Sequence, residues 1–388
     1  MKTFKKLLCV GLSTLMILAS GCDKNDTPSK GTEETKKPEV VTPDRTGEMR
    51  DLTAAELVAE MKGGWNLGNT FDSIGGETAW GNPATTKEMI DAIADKGFNT
   101  IRIPVTWGQF TGAAPDYTIK TEFLDRVQEV VNYAIDNDMY VIVNSHHEED
   151  WRIPDNEHIE EASEKHIAIW TQVAERFIDY GDHLIFEGLN EPRVKGGTNE
   201  WNGGTEEGRE CVNRLNHEFV ETVRETGGNN ETRLLLITSF AATSTYNAIT
   251  AVTFPENDEH IGMSIHAYTP YAFTYSPGQS WELFKWDGTK NYEIDNLFNS
   301  LKGNLVDKGI PVIITEYGAV NKVPYDDDTE VVNWLTHYLT TAKSVGIPCI
   351  WWDNGYYTNG NENFGIFDRN NVKWFSDEIA DTIVGIYK

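Results

Sequence analysis

The sequence predicts a single (β/α)8 barrel over residues 48–388, and three observations lead to this fold class. First, eight segments share one form, an apolar and β-rich run that ends in polar or aromatic residues. Second, the stretches between these segments carry apolar residues at helical spacing. Third, eight such units in about 340 residues fit a closed parallel barrel better than an open sheet.

The predicted strands have the continuous apolar runs that a strand covered on both faces requires. In the fourth, HLIFEGLNEP, residues 184–186 form the apolar run, and Asn190 and Glu191 follow without a helix start signal. In chain order the eight strands are predicted at 63–72, 98–107, 139–148, 183–192, 233–242, 260–270, 310–319 and 346–355.

Helical patterns separate the strands. Residues 121–137 carry one apolar stripe, with Thr121 as the predicted N-cap. Residues 85–97 begin with a capping-box pattern from Thr85 to Glu88 and end at Gly97, and the last helix is predicted at 372–387. The alternative fold is an open doubly wound sheet. That fold would need a phosphate-binding GxGxxG loop, and GGWNLG lacks this spacing.

The first 21 residues predict a secretory signal peptide. Three lysines precede an apolar run at residues 7–18, and small residues follow at 19–21. Cys22 comes directly after them and resembles the lipidated cysteine of bacterial lipoproteins, so we expect a lipid anchor there. An ordinary signal peptide with an incidental cysteine is the alternative. The mature chain is therefore expected outside the cytoplasm, anchored to a bacterial membrane or secreted.

Residues 22–47 predict a disordered tether behind this anchor, because the segment has three prolines, many charges and no aromatic residue. In the remaining chain Cys211 and Cys349 are predicted to be free thiols, since neither belongs to a CxxC pair. The formal net charge of −28 disfavours nucleic acid as a partner and leaves neutral polymers open.

Polar and aromatic residues end the predicted strands. In a (β/α)8 barrel the active site is built at the carboxyl ends of the strands, so these side chains are the candidates for function. Glu191 and Glu316 end strands four and seven, on opposite sides of the barrel mouth, and two carboxyl groups placed in this way are typical of glycoside hydrolysis. The other candidates are Asn66, Asn69, Arg102, His146, His147, Asn190, His266, Tyr268, Trp352 and Asp353.

Seven motifs at these strand ends, in order and at barrel spacing, resemble glycoside hydrolase family 5, the cellulase family, and within it subfamily 4. The resemblance runs from about residue 50 to residue 388. It implies a retaining endo-β-1,4-glucanase with Glu191 as acid/base and Glu316 as nucleophile, and it implies no cofactor and no metal. The motifs are WNLGNTFD, IRIPVTW, VIVNSHHE, LNEP, SIHAYTP, ITEYG and WWDNG.

The resemblance also implies roles for the neighbouring residues. Arg102 and Tyr268 would donate to Glu316 and keep it ionised, whereas Glu191 would hold its proton in a less compensated site near His266. At the cleavage point, Asn190 is expected to contact the 2-hydroxyl of the sugar and His146 its other hydroxyls. Trp352 is expected to pack against the apolar face of the same sugar. Contacts to neighbouring sugars are predicted for Asn66, Asn69, His147 and Asp353.

The expected partner is a β-glucan, such as cellulose-type, mixed-linkage or xyloglucan chains, and the expected state is a monomer. Because the sequence shows no appended carbohydrate-binding domain, soluble or amorphous glucans are the expected substrates. Aromatic residues in the strand-end loops, such as Trp201 and Trp281, predict a groove that stacks several sugars.

Three alternatives remain open at this point: a mannanase of the same family, a non-catalytic glycan-binding lipoprotein and a metal-dependent barrel hydrolase. The last would use His146, His147 and His266 as ligands, but HHEED lacks the HExxH spacing.

Overall fold

The computed structural model describes residues 47–275, 278–322, 328–358 and 362–388. The predicted signal peptide, the lipidation site at Cys22 and the tether lie outside these residues, except for Gly47. The N–H of Gly47 donates to the carbonyl of Asp179 at 3.1 Å, and its carbonyl accepts from Asn229. Gly47 therefore packs on the barrel, although the sequence placed it in the tether.

Eight parallel strands close into a barrel, which confirms the predicted fold class. Each strand pairs with the next along the chain, and β1 pairs with both β2 and β8, with Trp65 in register with Ile101 on one side and Trp351 on the other. The strands are β1 Gly64–Asn66, β2 Thr100–Ile103, β3 Tyr140–Asn144, β4 Leu184–Glu187, β5 Leu235–Thr243, β6 Ile261–His266, β7 Val312–Tyr317 and β8 Cys349–Trp351.

Helices follow most of the strands and cover the outside of the barrel, and a short hairpin precedes the last helix. The helices are α1 Ala54–Glu60, α2 Lys87–Lys96, α3 Thr121–Ile135, α4 Ile159–Arg176, α5 Glu206–Glu225, α6 Tyr246–Ile249, α7 Tyr271–Thr274, α8 Asn291–Asn304, α9 Thr329–Ser344 and α10 Asp377–Tyr387. The hairpin strands are β9 Phe367–Asp368 and β10 Lys373–Trp374. Within the described part of the chain, no helix combines the length and the apolar character that a membrane span needs.

Three details of the predicted helices are wrong. The cap of α2 is Thr86, whose hydroxyl accepts from the N–H of Met89, and not Thr85. Thr121 is the first residue of α3 and does not cap it. The last helix begins at Asp377 because residues 367–374 form the hairpin. The predicted stop of α2 at Gly97 is confirmed, because φ of 112° there is left-handed.

The interior of the barrel has an apolar lower layer and a polar upper layer. Alternate residues of a strand point to the same side, so Ile142 and Ile185 lie one step below Asn144 and Glu187. In the lower layer, Ile142 and Ile185 pack with Leu57 of α1, which precedes β1. The upper layer lies toward the carboxyl ends of the strands, where polar side chains are available for chemistry. Cys211 and Cys349 are buried free thiols, as predicted.

Candidate active site

Arg102, in the upper layer of β2, organises the polar interior. Its side chain is fully buried and donates to four side chains. Nε donates to Glu187 at 2.6 Å, Nη1 to Glu316 at 2.7 Å and to Asn66 at 3.0 Å, and Nη2 to Asn190 at 2.7 Å. The planar guanidinium thus fixes one candidate catalytic carboxylate and the amide beside the other.

Glu187 is the main residue that the sequence reasoning missed. It ends β4, is fully buried, and accepts from Arg102 and from the hydroxyl of Ser264, which also bonds Thr315 at 2.6 Å. The signal was present in the sequence, because a carboxylate inside the apolar run LIFE stands two residues after Ile185 and so points to the same side.

Glu316, at the end of β7, is bound through both of its carboxylate oxygens. Arg102 donates to Oε1 at 2.7 Å, and the hydroxyl of Tyr268 donates to Oε2 at 3.0 Å. His266 Nδ1 lies 3.5 Å from Oε2. The group is buried but not sealed, with 7 % of its side chain exposed. The orientation of this carboxylate is therefore fixed from three sides.

Glu191 lies across the barrel mouth, four residues beyond β4. Its Oε1 is 2.8 Å from Nδ1 of His266, and its Oε2 is 3.4 Å from Nη1 of Arg193. One carboxylate oxygen of Glu191, one of Glu316 and a ring nitrogen of His266 all lie within 4.8 Å of one another. This upper limit is shorter than the roughly 6.5–9.5 Å that separates the carboxyl groups of inverting glycosidases, so the pair fits the close spacing of retaining ones.

Burial is the largest single influence on the pKa of both glutamates, and by itself it acts to raise each pKa. The neighbouring charges and hydrogen bonds then decide the net direction. At Glu191 the hydrogen bond from His266 and the charges of His266 and Arg193 outweigh burial, and its pKa is lowered. At Glu316 burial and the charge of Glu191 prevail over His266 and Arg102, and its pKa is raised. Burial disfavours the protonated form of His266 and so acts to lower its pKa. The negative charges of Glu316 and Glu191 outweigh burial, and the pKa of His266 is raised overall. The three groups therefore titrate as one unit.

The expectation that Glu191 occupies the less compensated site is wrong. Arg193 approaches it from the following loop, and His266 hydrogen-bonds it directly. Arg102 does donate to Glu316, as predicted, but it shares its charge with Glu187. The pairing of Glu191 with His266 spans 75 positions and that with Arg193 only two, and the strand-end pattern displays neither contact.

Two rings that follow β3 and β8 form a flat wall at the site. The ring of His146 lies parallel to that of Trp352, at 5.7 Å between centroids, and its Nδ1 is 3.1 Å from the amide of Asn144. Burial, followed by the charge of His147, holds the pKa of His146 well below its usual value, so the imidazole is neutral. Asn190 accepts from Arg102 through Oδ1, so its Nδ2 is not used in this contact.

Asn66 and Asp353, predicted to contact sugars, lie inside the protein instead. Asn66 is fully buried, accepts from Arg102 and donates to the carbonyls of Thr315 and Trp351. Asp353 is also fully buried, with five protein hydrogen-bond donors around it: Trp65, Gly355, Ile366, Phe367 and Arg369. We therefore reassign both from sugar contact to support of the site.

Asn69 and His147 lie at the rim. Asn69 is half-buried in a left-handed conformation with φ of 53°. His147 keeps 31 % of its side chain exposed, and its ring lies 5.6 Å from that of Trp80. Burial opposes protonation of His147, but Glu149 and Asp72 raise its pKa overall. For both residues, contact with a bound chain stays a prediction.

Two clusters among the described residues bring three potential metal ligands within 4.8 Å of one another: Asp72, His146 and His147, and the triad Glu191, His266 and Glu316. Protein hydrogen bonds already occupy many of the oxygen and nitrogen atoms that these side chains would offer to a metal. Asp72 accepts from the N–H groups of Asn69 and Thr70, and the triad is held as given above. Protein groups thus satisfy the atoms named here, whereas the buried Nε2 of His266 has no hydrogen-bond partner among the described residues.

The loop aromatics divide into packed and open rings. Phe273 and Trp286 are buried against each other, and Tyr357 stacks on Phe375. Trp201, Tyr271 and Trp281 remain about half exposed, with exposed fractions of 50–52 %. The open rings are the ones that could stack sugars.

Comparison with known proteins agrees with this geometry. Residues 66–358 match the family described as Cellulase (glycosyl hydrolase family 5). Endoglucanase A of Ruminococcus albus is 63 % identical over 346 residues, which cover 88 % of this chain and 94 % of the relative.

Two solved structures share the fold. A GH5-4 broad specificity endoglucanase from Clostridium acetobutylicum matches with a TM-score of 0.83 and 42 % identity, over 86 % of this chain and all of that one. A GH5 xyloglucan-specific endo-β-1,4-glucanase from a metagenomic library, in complex with cellotriose, matches with a TM-score of 0.82 and 42 % identity, over 86 % of this chain and 98 % of that one. The chain therefore belongs to glycosyl hydrolase family 5, the cellulase family, and is a glycoside hydrolase.

Proposed function

We propose that Glu316 and Glu191 carry out the reaction of this endoglucanase, the hydrolysis of internal β-1,4-glucosidic bonds with retention of configuration. The observation that carries the assignment is the approach of the two carboxylates to within 4.8 Å. Glu316 is the nucleophile because Arg102 and Tyr268 orient both of its oxygens.

In the first step a carboxylate oxygen of Glu316 attacks the anomeric carbon. The bond from that carbon to the glycosidic oxygen breaks, and Glu191 gives its proton to the departing oxygen. In the second step Glu191 takes a proton from water, the water oxygen attacks the same carbon, and Glu316 leaves as a carboxylate. Two inversions give net retention, and the site returns to its starting protonation.

His266 holds the proton that Glu191 delivers. Its Nδ1 is 2.8 Å from Glu191, and the negative charges of Glu316 and Glu191 stabilise a proton on the ring. Moving the proton along this hydrogen bond makes Glu191 an acid even though its own pKa is lowered. In the glycosyl-enzyme Glu316 is bound to the sugar and has lost its charge, so it no longer favours a proton on Glu191. Glu191, which has given its proton to the leaving group, is then a carboxylate that can accept a proton from water.

The sugar at the cleavage point would lie between Glu316 and the wall formed by His146 and Trp352. Nδ2 of Asn190 is placed to donate to a hydroxyl of this sugar, because Arg102 holds the other end of the amide. Such a contact strengthens as the ring becomes oxocarbenium-like. Asn69 and His147 at the rim would meet the next sugars on the same side.

The expected substrates are soluble β-1,4-glucans, including mixed-linkage β-glucan and xyloglucan. The half-exposed aromatic rings at the mouth favour a chain that lies across the site, because an aromatic face packs well against the C–H face of a sugar. The names of the matched structures, one of broad specificity and one specific for xyloglucan, support the same substrate class.

The first test is an assay on carboxymethylcellulose, barley β-glucan, xyloglucan and glucomannan, with EDTA in a parallel set. We expect the glucans to be hydrolysed. EDTA should not reduce this activity, because the two-carboxylate mechanism needs no metal. Activity only on glucomannan would instead indicate a mannanase. Loss of activity in EDTA would favour the metal-dependent alternative, and no activity at all would favour a glycan-binding protein.

We also propose that Cys22 is lipidated after cleavage at residue 21 and that the barrel acts as a monomer tethered by residues 23–46. The order of charged, apolar and small residues before Cys22 supports the anchor. Labelling with a radioactive fatty acid in a bacterial host should mark the wild-type chain and not Cys22→Ser. Equal labelling of both chains would refute the anchor. The monomer is tested separately by light scattering on the soluble barrel, where the mass of a dimer would contradict it.

A further inference from the structure

Glu149, in the loop after β3, places a buried negative charge beside the catalytic centre. Only 7 % of its side chain is exposed. Its Oε1 accepts from Nη1 of Arg193 at 3.0 Å and lies 3.6 Å from Nδ1 of His147, and its Oε2 lies 3.6 Å from Nζ of Lys195. Burial alone would raise the pKa of Glu149, but His147 and Arg193 outweigh burial and lower that pKa. Glu149 is therefore a carboxylate, and it has no step in the proposed mechanism.

Arg193, in the loop after β4, contacts both Glu149 and the acid/base through one nitrogen. Nη1 of a guanidinium has two N–H groups to donate. Its two short contacts, both at 3.0 Å, go to the carboxylate of Glu149 and to the main-chain carbonyl of Glu191. The carboxylate of Glu191 receives the longer contact, at 3.4 Å, whereas an ion pair of these groups is usually about 2.7–2.9 Å long. Glu149 thus takes a donor that would otherwise serve the acid/base.

Other charged groups fix the same cluster from several loops. Nε of Arg193 donates to Glu200 at 3.1 Å, and Glu200 also accepts from the N–H of Gly196 at 2.8 Å, so the guanidinium is held at both ends. With 11 % of its side chain exposed, Arg193 is not a mobile surface group. The titratable and charged groups that act on Glu149 or on Glu191 are His147 with Asp72 behind it, Arg193, Lys195, His266 and Glu316.

We propose that Glu149 is a positioning residue for the acid/base: it holds the guanidinium of Arg193 back from the carboxylate of Glu191, and this inference rests on the proposed function. A cation in full contact with Glu191 would favour its carboxylate form, which cannot protonate the leaving oxygen. With Glu149 in place, Arg193 binds the main chain of Glu191, and part of its charge is neutralised. Arg193 therefore fixes the loop of the acid/base without removing its proton.

The test is the pH dependence of Glu149→Gln on two substrates. The amide keeps the size of the side chain but accepts less strongly than a carboxylate, so Arg193 should turn an N–H toward Glu191. The basic limb of kcat/KM for cellotetraose reports the group that must be protonated, and we expect it to move about 0.5–1 pH unit lower. The aryl substrate 2,4-dinitrophenyl β-cellobioside needs no proton on its leaving group, so its basic limb should not move.

Three further variants make the result specific. Asp150→Asn is the matched control, because it removes the same charge one position along the chain from a side chain that is 98 % exposed, and it should move neither limb. Glu149→Asp keeps the carboxylate and should restore most of the wild-type profile. Arg193→Met should move the basic limb for cellotetraose to higher pH, because the cation beside Glu191 is gone. In that background Glu149→Gln should no longer move the limb to lower pH.

The direction of the shift separates Arg193 from His147 as the link to the acid/base. The charge of His147 lowers the pKa of Glu191, and Glu149 favours that charge. If Glu149 acted through His147, its loss would favour neutral His147 and move the basic limb to higher pH. A shift to higher pH, no shift, an equal shift on both substrates or an equal shift in Asp150→Asn overturns the proposal. If the wild-type chain cleaves neither substrate, the proposed function itself fails.

Discussion

Replacing Glu316 with Ala is expected to reduce kcat on β-glucan by roughly four orders of magnitude or more, because no carboxylate then remains to form the glycosyl-enzyme. Added azide should restore part of the activity on an aryl β-cellobioside by attacking the anomeric carbon from the empty side. A single displacement inverts that centre, so the product should be the α-glycosyl azide. NMR of the product identifies its configuration.

The matched variant is Glu191→Ala, in which the other carboxylate is removed. Loss of a general acid costs about 10²–10⁴-fold on a sugar leaving group, but an aryl leaving group departs without a proton. Glu316 can therefore still form the covalent intermediate, and azide then replaces water to give the β-glycosyl azide. If the two variants gave the same anomer, or the reverse pattern, the roles of Glu191 and Glu316 would have to be changed.

Replacing Arg102 with Met is expected to destabilise the fold by about 3–5 kcal/mol, because two buried carboxylates lose their shared cation. The side chains of Arg102 and Glu187 are fully buried, and that of Glu316 nearly so. Urea unfolding of wild type and variant measures the loss.

The pH dependence of activity should change in the same variant. Without Arg102 the pKa of Glu316 rises further, and because the nucleophile must be ionised, the acid limb of kcat/KM should move to higher pH.

Glu187→Gln provides the control for this prediction. In the double variant with Arg102→Met, one of the two unpaired carboxylates is replaced by a neutral amide of similar size. We expect the double variant to be at least about 1 kcal/mol more stable than Arg102→Met alone, which is a coupling beyond additivity. Simple addition of the two single losses would mean that Arg102 and Glu187 do not form the energetic unit that their 2.6 Å contact indicates.

The strand-end pattern was sufficient to predict the barrel and the two glutamates. Each apolar run is local in sequence, and its end is marked by the first polar residues, as in LNEP and ITEYG. Closure of the barrel then brings Glu191 and Glu316 together although 125 positions separate their numbers, because strands four and seven lie around one ring. Fold topology thus converts a local pattern into a site.

The support of the site was predicted less well, because it depends on which side a strand residue faces. Asn66 is in register with Arg102, so both point into the barrel, and Asn66 is consumed by protein groups instead of sugar. Glu187 pairs with Arg102 across 85 positions, and Arg193 approaches Glu191 from a loop. Alternation along each strand could have indicated Asn66 and Glu187, whereas loop contacts such as those of Arg193 leave no pattern in the sequence.

Trapping of the covalent intermediate tests the central assignment most directly. The wild-type protein is incubated with a 2-deoxy-2-fluoro-β-cellobioside bearing a good leaving group, digested, and its peptides are analysed by mass spectrometry. The fluorine slows both steps, and the good leaving group restores the rate of the first step only, so the glycosyl-enzyme accumulates. We predict one glycosylated peptide with the sugar on Glu316. A sugar on Glu191 or Glu187, or inactivation without a covalent adduct, would contradict the account.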